Sequence, residues 1–194
     1  MKIGVLALQG DFEEHIALLR RIGVDANEVR LAKDLDSIQG LIIPGGESTT
    51  IGKLAVDFDI LENLRDFGRK KAIWGTCAGA IFLAKDTHRD QPLLALMDIT
   101  IERNAFGRQV DSFEVVLDVP VLKEVDASGT PYPAIFIRAP LIESVHGDAR
   151  TIAALPDGQI VAAQEGHWLA TSFHPELTGD TRFHQYFAAL TQSV

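Results

Sequence analysis

The chain has 194 residues, a net charge of −9, a single cysteine and 46% hydrophobic residues. That length fits one domain, residues 1–194, burying about 70% of its unfolded surface around one core. The acidic balance opposes a phosphate backbone, a lone cysteine excludes an intrachain disulfide, and no apolar stretch approaches the roughly 20 residues that span a bilayer. Neither a nucleic acid nor a membrane is therefore expected as a partner. The start, Met1-Lys2-Ile3-Gly4-Val5, enters a strand-like run without a signal-peptide pattern, which predicts a cytoplasmic location.

The first half alternates short β-rich apolar runs with amphipathic segments, the pattern of an α/β protein whose parallel sheet is covered by helices on both faces. Ile3 to Leu8 reads as the first strand. Asp11 then caps a helix, with Glu14 three residues on as in a capping box, and Phe12, Ile16 and Leu19 follow helical spacing until Gly23 closes it. Strand two falls near Ala26 to Val29. A third, Gly40-Leu41-Ile42-Ile43-Pro44, runs into Gly45-Gly46, with Ser48 or Thr49 as cap of the helix that follows. Ala72-Ile73-Trp74 is the fourth. Beyond residue 92 the helical period fades. Ile99 to Ile101, Phe113 to Leu117 and Ala134 to Ile137 alternate as mixed or antiparallel strands do, and Lys123 to Pro133 reads as an exposed loop. Ile160 to Ala163 and Trp168 to Ser172 form a hairpin around Glu165-Gly166. Asp180 caps a terminal helix whose apolar face is Phe183, Tyr186, Phe187 and Leu190.

The only cysteine lies in Gly75-Thr76-Cys77-Ala78-Gly79, between a predicted strand and a predicted helix. Small residues two positions either side of a nucleophile let strand and helix approach closely around a strained elbow, and the helix start favours a thiolate and a developing oxyanion. A buried cysteine packing as a small hydrophobe is the competing reading. A thiol nucleophile needs a base, and a third group to orient it. Of six histidines, His174 stands out, because Phe173-His174-Pro175-Glu176 follows a predicted strand and Pro175 favours an extended residue before it. In extended chain His174 and Glu176 point the same way, so the carboxylate fixes the imidazole while its other nitrogen faces Cys77. An ordinary surface turn is the alternative there. His15, just after the first strand, reads as structural or solvated.

Pro44-Gly45-Gly46-Glu47-Ser48-Thr49-Thr50 sits at the carboxyl end of a predicted parallel strand, the edge where open α/β sheets bind ligands. Its glycines allow N–H groups to approach an oxyanion; a plain strand-to-helix turn remains the competing reading. Gly52-Lys53 suggests a nucleotide P-loop, but five residues instead of four separate Gly46 from Gly52, and Leu54 replaces the magnesium-binding hydroxyl. No paired cysteines, His-Glu-x-x-His, calcium loop or dinucleotide fingerprint is present, so no metal or cofactor is expected. Arg103 and Arg138 follow strand-like runs and are suited to holding a substrate carboxylate.

Together with Gly4-Val5-Leu6-Ala7-Leu8-Gln9-Gly10, Glu102-Arg103-Asn104-Ala105-Phe106-Gly107-Arg108-Gln109, Phe136-Ile137-Arg138-Ala139-Pro140 and Ser172-Phe173-His174-Pro175-Glu176-Leu177-Thr178, these segments resemble the class I (triad) glutamine amidotransferases. More narrowly they resemble the glutaminase subunits of pyridoxal 5′-phosphate synthase, over nearly the whole chain. The resemblance implies a three-layer flavodoxin-like class I amidotransferase fold with a mixed, mostly parallel sheet. It implies Cys77 as nucleophile, His174 as base and acid, and Glu176 as orienter. It further implies Gly46, Glu47, Ser48, Arg103, Ile137 and Arg138 around L-glutamine, and the backbone amides of Gly46 and Ala78 as oxyanion hole. The implied partner is a (β/α)8-barrel synthase subunit in a large hetero-oligomer, which uses the ammonia to make pyridoxal 5′-phosphate (vitamin B6). A cysteine enzyme of the DJ-1/PfpI-like class shares the core and elbow, but places a histidine directly after the nucleophile where this chain has Ala78. A glutaminase subunit serving another synthase and a catalytically silent binding subunit complete the alternatives.

Overall fold

A computed structural model of the chain describes residues 1–103 and 112–194. Its strands are β1 (Lys2–Leu6), β2 (Asp25–Val29), β3 (Gly40–Ile43), β4 (Ala72–Thr76), β5 (Ala84–Asp86), β6 (Met97–Glu102), β7 (Ser112–Leu117), β8 (Tyr132–Ile137), β9 (Leu141–Val145), β10 (Arg150–Ala154), β11 (Ile160–Glu165) and β12 (Trp168–Thr171). Its helices are α1 (Phe12–Arg21), α2 (Ser48–Asp57), α3 (Leu61–Gly68), α4 (Ala78–Leu83) and α5 (Arg182–Gln192).

The main sheet runs β2-β1-β3-β4-β12-β11-β9-β6-β5, with β10 also on β11. From β2 to β12 all neighbours are parallel, whereas β11 pairs antiparallel with β9, β10 and β12. The β7–β8 hairpin forms a separate two-stranded sheet. This is the mixed architecture expected. Strand β1 leaves toward β2 on one side and β3 on the other, and such a switch point opens a crevice at the carboxyl ends of the strands.

The pleat divides the apolar residues between two cores. Ile3 and Val5 of β1, Ile42 of β3, Trp74 of β4 and Leu169 of β12 face one layer, shared with Ile16 and Leu19 of α1 and Phe183 and Phe187 of α5. Leu41, Ile43, Ile73 and Ala170 face the other, shared with Ile51 of α2, Leu64 of α3 and Ile81 of α4. The helices therefore flank both faces. None among the described residues is long and apolar enough to cross a membrane.

Some local expectations are corrected. Asp11 precedes α1 but its side chain makes no cap bond there, since its carboxylate turns toward His174 instead, 3.7 Å from Nδ1. Helix α2 is capped by Glu47 rather than Ser48 or Thr49: the longer carboxylate reaches the amides of Thr49 and Thr50 at 3.3 and 2.8 Å. Asp180 lies one residue before the cap position of α5, where it accepts from the Arg182 amide at 3.0 Å. The stretch 123–133 is not wholly loop: Pro120–Glu124 is a 3₁₀ turn and Tyr132 is buried at the start of β8.

Candidate active site

Four loops converge because four neighbouring parallel strands end together. Those after β1, β3, β4 and β12 bring Gln9, the Gly45-Gly46 turn, Cys77 and His174 to one edge.

Cys77 sits between β4 and α4 with φ 47° and ψ −106°, in the left-handed region that disfavours side chains. The elbow persists because its neighbours are glycines. A methyl on Gly79 would overlap the Ile43 carbonyl, and one on Gly75 would overlap the Gly79 backbone. The Cys77 N–H donates to the Thr171 carbonyl at 2.8 Å, which ties the elbow to β12. Its Sγ lies 4.0 Å from the Ile137 carbonyl, and Cys77 is one of the two neighbours that raise the His174 imidazole.

His174 is buried, and its Nδ1 lies 2.6 Å from Glu176 Oε1. The two side chains meet through a 3₁₀ turn, Pro175–Leu177, and not by the strand alternation expected, because Pro175 starts the turn immediately. With Nδ1–H committed to the carboxylate, Nε2 is the nitrogen left for the thiol. Burial opposes a charged ring, but the hydrogen bonds and charges of Cys77 and Glu176 outweigh it and hold His174 up to about 10. Burial pushes the Glu176 carboxyl up, and the His174 contact opposes that shift. Asp11, His174 and Glu176 offer donor atoms within 4.8 Å of one another, the one such set among the described residues with spacing for a cation. The short His174–Glu176 bond makes the set an acid–base cluster first.

The glycine turn packs directly on this cluster. A Cβ on Gly45 would stand 2.6 Å from His174 Cε1, and Gly46 has φ 155°. The Gly45 carbonyl accepts from Asp11 N–H at 3.2 Å. Since no peptide among the described residues is cis, the Gly46 N–H of the same unit points the opposite way. Gln9 Oε1 accepts from the Glu47 N–H at 2.7 Å, fixing the turn to the β1 loop.

Glu47 also accepts from both threonine hydroxyls and, at 2.7 Å, from Arg103 Nη2. Burial works against the charge, yet the hydroxyls and amides of Thr49 and Thr50 bring its carboxyl down to about 2. Ser48 is buried, and its Oγ has no hydrogen-bond partner among the described residues. Ile137 ends β8 with its side chain exposed, and Arg138 follows it, exposed, at φ 44°. Ala78 is the first residue of α4, whose opening N–H groups lack partners within the helix. The structure thus brings together Cys77, His174 and Glu176, and separately Glu47 and Arg103. Residues 104–109 of the quoted arginine motif lie outside the described residues.

Sequence reasoning missed three site residues. Gln9 and Asp11 were noticed only within a motif and as a cap. His15 is fully buried beside Glu176. Its signal was present: Phe12, His15, Ile16 and Leu19 make one helical stripe, so this histidine sits where an apolar residue belongs.

A thiol on a strand-to-helix elbow, an imidazole beside it and a buried carboxylate behind, at the carboxyl edge of a mixed α/β sheet, define the class I glutamine amidotransferase type. The family model described as the SNO glutamine amidotransferase family matches residues 5–193, and the chain belongs to that family. It is 56% identical over 195 residues to the pyridoxal 5′-phosphate synthase subunit PdxT of Herpetosiphon aurantiacus, covering 98% of this chain and 100% of that protein. The PdxT subunit of Dehalococcoides mccartyi is 54% identical over 196 residues, covering 99% and 98%. A crystal structure of a glutamine amidotransferase superposes with a TM-score of 0.90 at 45% identity, over 98% of each chain. This membership sets aside the DJ-1/PfpI-like alternative.

Proposed function

We propose that the chain is one glutaminase domain, residues 1–194, which hydrolyses L-glutamine to L-glutamate and ammonia and delivers the ammonia to a pyridoxal 5′-phosphate synthase subunit. The observation that carries this reading is Cys77 set against His174, whose Nδ1 is hydrogen-bonded to Glu176 beneath the Gly45-Gly46 turn.

The Cys77 thiolate attacks the side-chain amide carbon of glutamine. The backbone N–H groups of Gly46 and Ala78 receive the developing oxyanion. His174, protonated at Nε2 and steadied by Glu176, gives its proton to the departing ammonia, leaving a glutamyl thioester. A water that loses its proton to His174 attacks the thioester, and C–S cleavage releases glutamate and restores the thiolate. Glutamine presents an ammonium and a carboxylate beyond its amide. Glu47, oriented by Arg103, and Arg138 supply the opposite charges, while Ser48 and Ile137 complete the pocket.

Relatives more than half identical over nearly their whole length are named as synthase subunits, which supports a synthase partner; we take that partner to be the (β/α)8-barrel subunit of a large hetero-oligomer. Ammonia released to bulk water at neutral pH is protonated and lost as a nucleophile, so direct transfer has a physical reason. The test is glutamate release from glutamine with and without that synthase subunit, alongside recovery of bound synthases from cells. Stimulation by the pyridoxal phosphate enzyme is expected. Repeated recovery of a different synthase, with stimulation by it alone, would overturn the acceptor.

A further inference from the structure

We propose that His15 is a positioning residue for this reaction, holding the rear oxygen of the Glu176 carboxylate at the end of a buried chain of two histidines that begins at His184. The inference rests on the triad reading above. Glu176 has two oxygens, and only Oε1 is used by His174. Oε2 is buried and makes no well-aligned hydrogen bond among the described residues; the group facing it is His15 Nε2, at 3.3 Å. Both side chains are completely shielded from solvent. His15 Nε2 is also 3.3 Å from Thr76 Oγ1, directly before the nucleophile, and His15 Nδ1 is 3.0 Å from His184 Nε2. Trp74 packs in T-shaped contact with both rings, with centroids 5.7 and 5.0 Å away.

Both ends of the chain select the same proton arrangement. A neutral imidazole carries one donor and one acceptor nitrogen. A lone pair on His15 Nε2 would face the carboxylate oxygen, so the proton sits on Nε2. His15 Nδ1 then accepts from His184 Nε2–H, leaving His184 Nδ1 as an acceptor; that atom has no partner among the described residues. The reverse order would leave a buried N–H there without an acceptor, the costlier defect. Burial holds His15 well below the ordinary histidine range and His184 down to about 3, so the chain presents a dipole to Glu176 and not a second cation. Glu176 thereby keeps its charge for the His174 imidazolium. The other charges facing these groups are Asp11 beside His174, and Arg21 and Asp180, which act in opposite directions on His184.

The test compares His15→Phe, which keeps a ring but no donor, with His15→Gln, whose amide N–H falls near the position of Nε2. Glutamine hydrolysis by the complete synthase complex is measured across pH, with thermal unfolding of each variant. His15→Phe is expected to lower kcat about 10–100-fold with KM for glutamine unchanged, the scale typical of groups that orient a reactive side chain. Its acid limb should move to higher pH, since a carboxylate that loses a donor protonates more easily. His15→Gln should restore most of the rate. A wild-type rate and acid limb in His15→Phe would overturn the proposal, as would equal losses in both variants at equal thermal stability. Imidazole nitrogen NMR of the wild-type protein decides the matter independently of activity and of whether a variant folds. Protons on Nε2 of both histidines support the chain, and a proton on His15 Nδ1 overturns it. A wild-type complex that failed to hydrolyse glutamine would sink the functional reading alone.

Discussion

Cys77 adopts a backbone conformation that costs a side-chain-bearing residue about 1–3 kcal/mol, and surrounding contacts over-determine it. Gly79 is the contact that yields least, because its neighbour is the Ile43 carbonyl, a backbone group inside the sheet. Gly79→Ala is therefore expected to destabilise the protein by about 1–3 kcal/mol, as overpacking does, and to displace Cys77 from His174. Urea denaturation checks the first part; an unchanged midpoint would mean the elbow absorbs a methyl. The elbow was legible in the sequence because two glycines flank the cysteine symmetrically. His15 was legible only in part: a histidine near a helix start reads as structural or solvated, its stripe marks it as buried, and only packing sets it beside Glu176 and Trp74.

Helix α2 shows how an element ties the pocket to stability. Glu47 caps it and at the same time holds Arg103, which leads out of β6. Loss of a capping side chain costs about 0.5–2 kcal/mol, so Glu47→Ala should lower stability by that order while also weakening glutamine binding. The acid dependence has a definite sign. A carboxyl held at about 2 against an ordinary 4.5 contributes stability that is complete above 4.5 and lost as pH falls through 2. Glu47→Gln should remove that part of the acid-unfolding curve, and an unaltered curve would contradict the assigned hydrogen bonds. Sequence placed this helix correctly but not its cap, since Ser48 and Thr49 are stronger cap formers by composition. The longer carboxylate prevails because it meets two amides, two hydroxyls and a guanidinium at once.

Across the whole molecule, most strands were readable, β5, β9 and β10 excepted, and of their adjacencies the β11–β12 hairpin was readable while the crossover pairings were not. Apolar runs marked β1, β3, β4 and β12, but the parallel pairing of β4 with β12 joins segments nearly a hundred residues apart, and only packing reveals it. That one pairing puts His174 beside Cys77. The same layer buries His15 and His184 as neutral rings, with a consequence for stability. An unfolded histidine binds a proton below about 6.5, whereas native His184 resists until about 3, so stability falls as pH drops across that window. His174 works oppositely: its raised value gives stability that is complete below 6.5 and lost as pH rises through 10. A stability maximum near neutrality is expected from these three histidines. Thermal unfolding followed from pH 7 to 5 should flatten in His184→Phe; the same slope as wild type would show that His184 is already charged in the native state.

The central claim is that Cys77 performs the amide cleavage with His174 as its base. The most direct measurement is glutamate release by the subunit in complex with its synthase, comparing wild type with Cys77→Ala and His174→Asn, each verified to fold and assemble. A loss of at least about a thousandfold in both variants is predicted, since each removes a member of one nucleophile–base unit. Partner-stimulated glutamate release at the wild-type rate from Cys77→Ala would contradict it.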